Sequence, residues 1–228
     1  MKYYFLIPLF FQKLVWVPVR LSLWFFCRLK VIGLENLEGL RAPVIFAPNH
    51  THELDPALLP ASLPFWSRFS PVIGASREKE FYASLGWRRH FYGRWFFIIW
   101  GGYPVFAGLR DYEKAVANHI RLINLESTLC IFPEGAKSYD GTIQHAKGGI
   151  AYMAERTDCP IIPVGISGMY GMTMMDFLLR RHSVVVHFGP ALFQKDIKEA
   201  VPRKSPGDPS IYKDEANFVM EKVGELVG

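Results

Sequence analysis

Between positions 31 and 188 the sequence repeatedly sets down short β-branched or aromatic runs, with stretches of helical spacing between them. The runs at 31–34, 43–47, 70–75, 128–132, 161–166 and 184–188 read as strands. Residues 110–125, 150–156 and 214–227 read as helices; in the first of these Tyr112, Val116, Ile120 and Ile123 recur near one face while Asp111, Glu113 and Lys114 fill its first turn. Such alternation commits the chain to the α/β class, with a mixed, largely parallel sheet flanked by helices. The stretch 195–209, with three prolines and many charges, reads as a loose connector.

The chain's 228 residues suffice for one packed core. Half of them are apolar and 15% aromatic, more than such a core consumes. The surplus is concentrated at the N-terminus, where positions 3–27 are mostly apolar, interrupted by Gln12, Lys13 and Arg20. That stretch is too long for a secretory leader and lacks a small-residue cleavage site. Lys13 and Arg20 are costly in the middle of a spanning helix, and Pro8 and Pro18 divide the segment. The expectation is one or two helices in the membrane interface, with Trp16, Trp24 and the phenylalanines inserted and Lys13, Arg20, Arg28 and Lys30 at the headgroups. Residues 1–29 thus form a membrane-associated segment ahead of a domain at 30–228. The alternative is packing on the domain's own core.

A formal charge of +5 favours an anionic partner. The basic and aromatic mixture RRHFYGRWFFIIW at 88–100 suits either single-stranded nucleic acid or a lipid surface. The N-terminal segment favours lipid, and no nucleic-acid partner is expected. Cys27, Cys130 and Cys159 are odd in number, widely spaced and set in apolar sequence, so three buried thiols in a reducing compartment are expected, with no metal site.

The chemistry-bearing residues cluster after the run PVIFAP, in NHTHELDP. Loops leaving strand ends are where α/β folds build sites. Asp55-Pro56 is a helix-start signal, which makes Asp55 a candidate N-cap. In a continuous helix, residues five apart point about 140° away from each other. A His50–Asp55 contact therefore requires a turn between them, and the Asp-Pro start supplies one. His52 lies within reach of the same carboxylate, and these eight residues alone scarcely separate the two histidines.

Asn49-His50 followed by Asp55, taken together with FPEG at Phe132 to Gly135, resembles the glycerolipid acyltransferase family, whose bacterial members acylate lysophosphatidic acid and related lysophospholipids. GGYPVFAGLRD at 101–111 and IIPVGIS at 161–167 are similar to that family's second and fourth blocks, so the resemblance runs from about residue 30 to 190. It implies that His50 is the general base and Asp55 its orienting carboxylate. It further implies that Asn49, Phe132, Pro133, Glu134 and Gly135 belong to the acceptor site. The implied activity is direct transfer of a fatty acyl group from an acyl-CoA or acyl-carrier-protein thioester to a lysoglycerophospholipid hydroxyl. That reaction needs no cofactor beyond the co-substrate and would run at the cytoplasmic face of the cell membrane. A hydrolase using the same pair and a non-catalytic lipid-binding module are the alternatives.

The sequence departs from the family pattern at its phosphate ligands. Ala107 stands where an arginine is usual, leaving Arg110 as the next candidate, and Ala136-Lys137-Ser138 replaces Thr-Arg-Ser. Lysine neutralises a phosphate without arginine's bidentate fork, which suggests a phosphodiester or other acceptor. Lys147 in HAKGG is a further anion-binding candidate, with Gly148 and Gly149 opening the next helix.

Overall fold

The computed structural model describes residues 3–76, 98–106, 111–202 and 208–227. The described strands form one sheet: β1 (Lys30–Ile32), β2 (Ile45–Pro48), β3 (Val72–Ser76), β4 (Gly102–Pro104), β5 (Thr128–Cys130), β6 (Ile161–Ser167) and β7 (Val185–Phe188). Their spatial order is β1-β7-β6-β2-β5-β3-β4, and every pairing is parallel except β6 with β7. The expected class therefore holds. β4 was not anticipated, because a three-residue GYP of intermediate burial carries no alternation to read.

The central strands are apolar throughout because both sheet faces are covered. Phe46, Cys130 and Ile162 face a layer made by α1 (Tyr3–Cys27) and α2 (Asp55–Ser62), including Leu23, Cys27, Leu58 and Leu59. Ile45, Ala47, Leu129 and Ile161 face the other layer, α3 (Tyr112–Ile123), α4 (Gly149–Thr157) and α7 (Ile211–Val227). Neighbouring residues of β2 thus serve opposite cores, as period-two side chains must.

Two further α-helices are described, α5 (Met174–Leu178) and α6 (Gln194–Ala200), with one 3-10 turn at Leu34–Leu37. Over residues 195–200, α6 corrects the reading of 195–209 as a loose connector, while 203–207 lie outside the described residues. Asp196 accepts the Phe193 N–H and Ile197 is buried, so the element is fixed by one cap and one apolar anchor too sparse to show as a periodic pattern.

The N-terminal segment is one unbroken 25-residue helix that contains Pro8 and Pro18, which corrects the expectation that the prolines divide it. Each proline removes one backbone bond. The helix persists because its polar residues are tied to the domain. The Gln12 amide donates to Val72 O (2.7 Å) and accepts the Val72 N–H (3.0 Å). Trp16 Nε1 donates to Leu63 O (3.1 Å) and Arg20 to Ala61 O (2.6 Å), while Lys13 lies 4.7 Å from the Phe65 ring centroid. Trp16, Lys13 and Arg20 therefore turn inward instead of entering lipid or headgroups. The opposite face exposes Ile7, Phe10, Leu14, Val17, Leu21 and Trp24, spaced alternately three and four apart as one stripe.

Candidate active site

β2 and β5 are parallel neighbours, with Phe46 opposite Cys130, so the loops that leave their carboxyl ends emerge side by side. One carries NHTHEL and the other FPEG. The mouth lies where strand order diverges, with β5 on one flank of β2 and β6 on the other.

Asn49 is buried, and its amide is wholly engaged with β6: Nδ2 donates to Ile166 O (2.9 Å) and Oδ1 accepts the Ile166 N–H (2.7 Å). It fixes the start of the loop as a strand neighbour's peptide would. The next residues turn around one carboxylate oxygen. Asp55 Oδ2 accepts the N–H groups of Thr51 (2.7 Å) and His52 (2.7 Å) and lies 3.0 Å from His50 Nδ1. Asp55 is itself the first residue of α2, and Leu54 occupies the N-cap position. Asp55 is therefore not an N-cap; its bonds run backward into the loop and shape the histidine turn.

A carboxylate only accepts, so Nδ1 carries the His50 proton and Nε2 keeps its lone pair. No described group hydrogen-bonds that Nε2. The imidazole stacks on Phe132, with centroids 4.2 Å apart and planes at 28°, which fixes its tilt from the β5 side. His52 is differently committed. Its Nδ1 accepts the Leu54 N–H (3.2 Å), which leaves Nε2 to donate to Met172 O (3.2 Å). Both of its nitrogens serve the fold, which separates the two histidines on geometric grounds.

Glu134 is buried, and each of its oxygens accepts a backbone amide: Oε1 from His50 (2.7 Å) and Oε2 from Gln144 (2.9 Å). Burial pushes its carboxyl up from the usual range, against the lowering effect of those two amides. The Ser138 N–H donates to His50 O (2.8 Å), closing the link between the loops. The two bonds that tie the histidine loop to the FPEG loop thus join residues 84 or more positions apart. Gln144, Ser138 and Met172 were not singled out from sequence, since each contributes through its backbone and leaves no mark on residue type.

Gly135 has φ +71°, a conformation that side chains rarely adopt, and the Lys147 chain passes about 3 Å from where a Cβ would stand. The Lys147 N–H donates to Pro133 O (2.8 Å), which brings this lysine over FPEG. Lys137 sits at the exposed rim, 3.4 Å from Glu53 Oε1. Gly148 is buried, and a Cβ there would meet Tyr112 and Tyr212, so the glycine makes room for tyrosines. Arg110 lies outside the described residues, as does 88–97 of the basic and aromatic run.

Cys130 is the thiol nearest this chemistry in sequence. Burial, with the charge of Asp55 added, pushes its pKa far above the thiolate range. A protonated thiol of this kind is no nucleophile. The arrangement offers instead an oriented imidazole with a free lone pair, a buried carboxylate behind it, and lysines at the edge.

The family described as Acyltransferase matches residues 28–167. A chloroplastic 1-acyl-sn-glycerol-3-phosphate acyltransferase, BAT2 of Brassica napus, is 26% identical over 167 residues, which cover 70% of this chain and 42% of that protein. The chain thus spans less than half the length of this curated relative. The crystal structure of the 1-acyl-sn-glycerophosphate (LPA) acyltransferase PlsC from Thermotoga maritima superposes with a TM-score of 0.62 at 20% identity. It covers 94% of this chain and 80% of that one, a likeness of fold.

Proposed function

Because the chain belongs to the acyltransferase family, we propose that it transfers a fatty acyl group from an acyl-CoA or acyl-carrier-protein thioester to a hydroxyl of a lysoglycerophospholipid. The observation that carries the reading is the His50–Asp55 pair, with Nδ1 held at 3.0 Å and Nε2 hydrogen-bonded to no group among the described residues. Nε2 takes the proton of the acceptor hydroxyl as its oxygen attacks the thioester carbonyl. The new C–O bond forms and the C–S bond breaks, and the imidazolium returns the proton to the departing thiolate. Asp55 stabilises the imidazolium between these steps. One placed base supplies about 10²–10⁴-fold, which suits a thioester already activated toward attack.

Lysophosphatidic acid is the first acceptor to test, since the plant and Thermotoga proteins are both named for it. Lys147 above Gly135 and Lys137 at the rim would neutralise its phosphate as point charges. Helix α1 would lie on the membrane by its exposed stripe, with its inward face bonded to the domain. The buried, free Cys27, Cys130 and Cys159 suit the reducing, cytoplasmic side.

The purified chain, given a labelled acyl donor of each class and a panel of lyso-lipids in mixed micelles, should yield diacyl product. Release of free fatty acid at an equal rate with and without acceptor would assign the pair to hydrolysis and overturn this reading. Acylation of other lysophospholipids far faster than lysophosphatidic acid would keep the transfer chemistry but replace the phosphomonoester with the phosphodiester headgroup that the lysine substitutions suggest.

A further inference from the structure

Apolar surface is not confined to α1. Within and just after α5, Met174, Met175, Leu178 and Leu179 are 73, 59, 52 and 54% exposed. This short segment is firmly built: Thr173 and Asp176 form a reciprocal capping box at its start. Its inward aromatic, Phe177, stacks on Phe26 of α1 with centroids 4.8 Å apart, and the Arg180 guanidinium lies 4.4 Å from the Phe25 ring centroid. The patch therefore continues the exposed stripe of α1 across a packed seam.

Charge completes the picture. Asp176, the acid of this segment, accepts from Thr173 and pairs with Arg181 at 3.0 Å. Arg180 and Arg181 are exposed on one side of the seam, and Arg28 and Lys30 are exposed just beyond the end of α1 on the other. An apolar patch edged by cations fits a bilayer with anionic headgroups. The segment also reaches the reaction centre. Met172, two residues before α5, accepts the hydrogen bond from His52 in the histidine turn. Tyr170 lies over Gly141 and donates to Tyr139 O (2.9 Å), beside Ser138, whose N–H holds His50.

Resting on the reading of α1 as a membrane-lying helix, we propose that the 170–181 segment is a second lipid contact. It enters an anionic bilayer by Met174, Met175, Leu178 and Leu179 and seats the mouth of the His50 site on the lipid surface. An acyl chain would then pass from lipid to the site across this lip.

Labelling tests it in the full chain. The native cysteines are buried, so Met175→Cys, Leu14→Cys and, as a control on exposed α7 surface, Glu221→Cys can each be coupled selectively to a polarity-sensitive fluorophore. With vesicles of mixed phosphatidylcholine and phosphatidylglycerol, labels at 14 and 175 should both shift to the blue and gain intensity several-fold, while the label at 221 stays unchanged. A shift at 14 with none at 175 overturns this inference and leaves membrane binding through α1 standing. No shift at either position overturns both. A shift at 175 that grows with protein concentration and needs no vesicles assigns the patch to self-association and also overturns it.

Discussion

Replacing Asp55 by asparagine separates the two jobs that the proposed mechanism gives the carboxylate, shaping the turn and stabilising the imidazolium. One oxygen, Oδ2, receives all three bonds, from Thr51, His52 and His50, whereas Oδ1 is buried without a hydrogen-bond partner. An asparagine whose carbonyl takes the place of Oδ2 keeps all three contacts and loses only the charge. At the 3.0 Å separation, an aspartate and an imidazolium attract by about 5.5 kcal/mol at an effective dielectric of roughly 20. The imidazolium is only partly formed in the transition state, so this is an upper bound. The expected loss in kcat is therefore about 10³–10⁴-fold, at 1.36 kcal/mol per tenfold. The asparagine NH₂ would sit where Oδ1 finds no partner, at a cost of about 1–3 kcal/mol, partly offset because a buried charge is gone. Asp55→Asn should therefore melt somewhat lower but still cooperatively. Steady-state acyl transfer with thioester donor and lysophosphatidic acid, beside thermal unfolding of the same preparations, gives both quantities. A kcat within tenfold of wild type in a folded protein would refute the electrostatic role and leave Asp55 as a staple for the turn.

His50→Ala should lose about 10²–10⁴-fold in turnover with little change in melting temperature. His52→Ala should do the reverse, because it releases the Leu54 N–H and Met172 O yet leaves the base in place; kinetics and calorimetry on the pair decide it. His119, fully buried on the inner face of α3, is held neutral, its pKa pushed down to about 4 by burial. The unfolded chain therefore binds the extra proton first, and stability falls as pH drops below the ordinary value of 6.5 toward 4. Between pH 7 and pH 5 this one residue should cost about 2 kcal/mol. Urea unfolding at both pH values should show that loss in wild type and lack it in His119→Leu.

Much of the sheet was legible because buried parallel strands announce themselves as unbroken apolar runs, and 161–166 maps almost residue for residue onto β6. Strand order was not legible, since nothing local in IFAP says that its neighbours are residues 128–130 and 161–167. The same limit applied at the site. Asp55 was seen to be near both histidines, but the bond that disqualifies His52 comes from Met172, 120 positions away. Phe132 and Glu134 belong to the FPEG motif, which is plain in the sequence. Their work, stacking on the imidazole and holding the His50 N–H, depends on which loops the fold makes adjacent. The prolines of α1 misled because helix propensity is a local quantity, and this helix is held by Gln12, Trp16 and Arg20 reaching across to the domain.

Those three side chains also decide what kind of anchor α1 can be. Lifting the helix away would strand the carbonyls of Val72, Leu63 and Ala61 and the Val72 amide, each of which now has its partner in α1. A helix fastened in this way is a keel, not a tether: it sets roll and draught. Once its stripe meets lipid, the height of His50 above the surface and the tilt of the cleft are properties of the fold. On the proposed reading, depth would then be a form of selectivity, since an acceptor would react only if its free hydroxyl rode at the level where the imidazole waits.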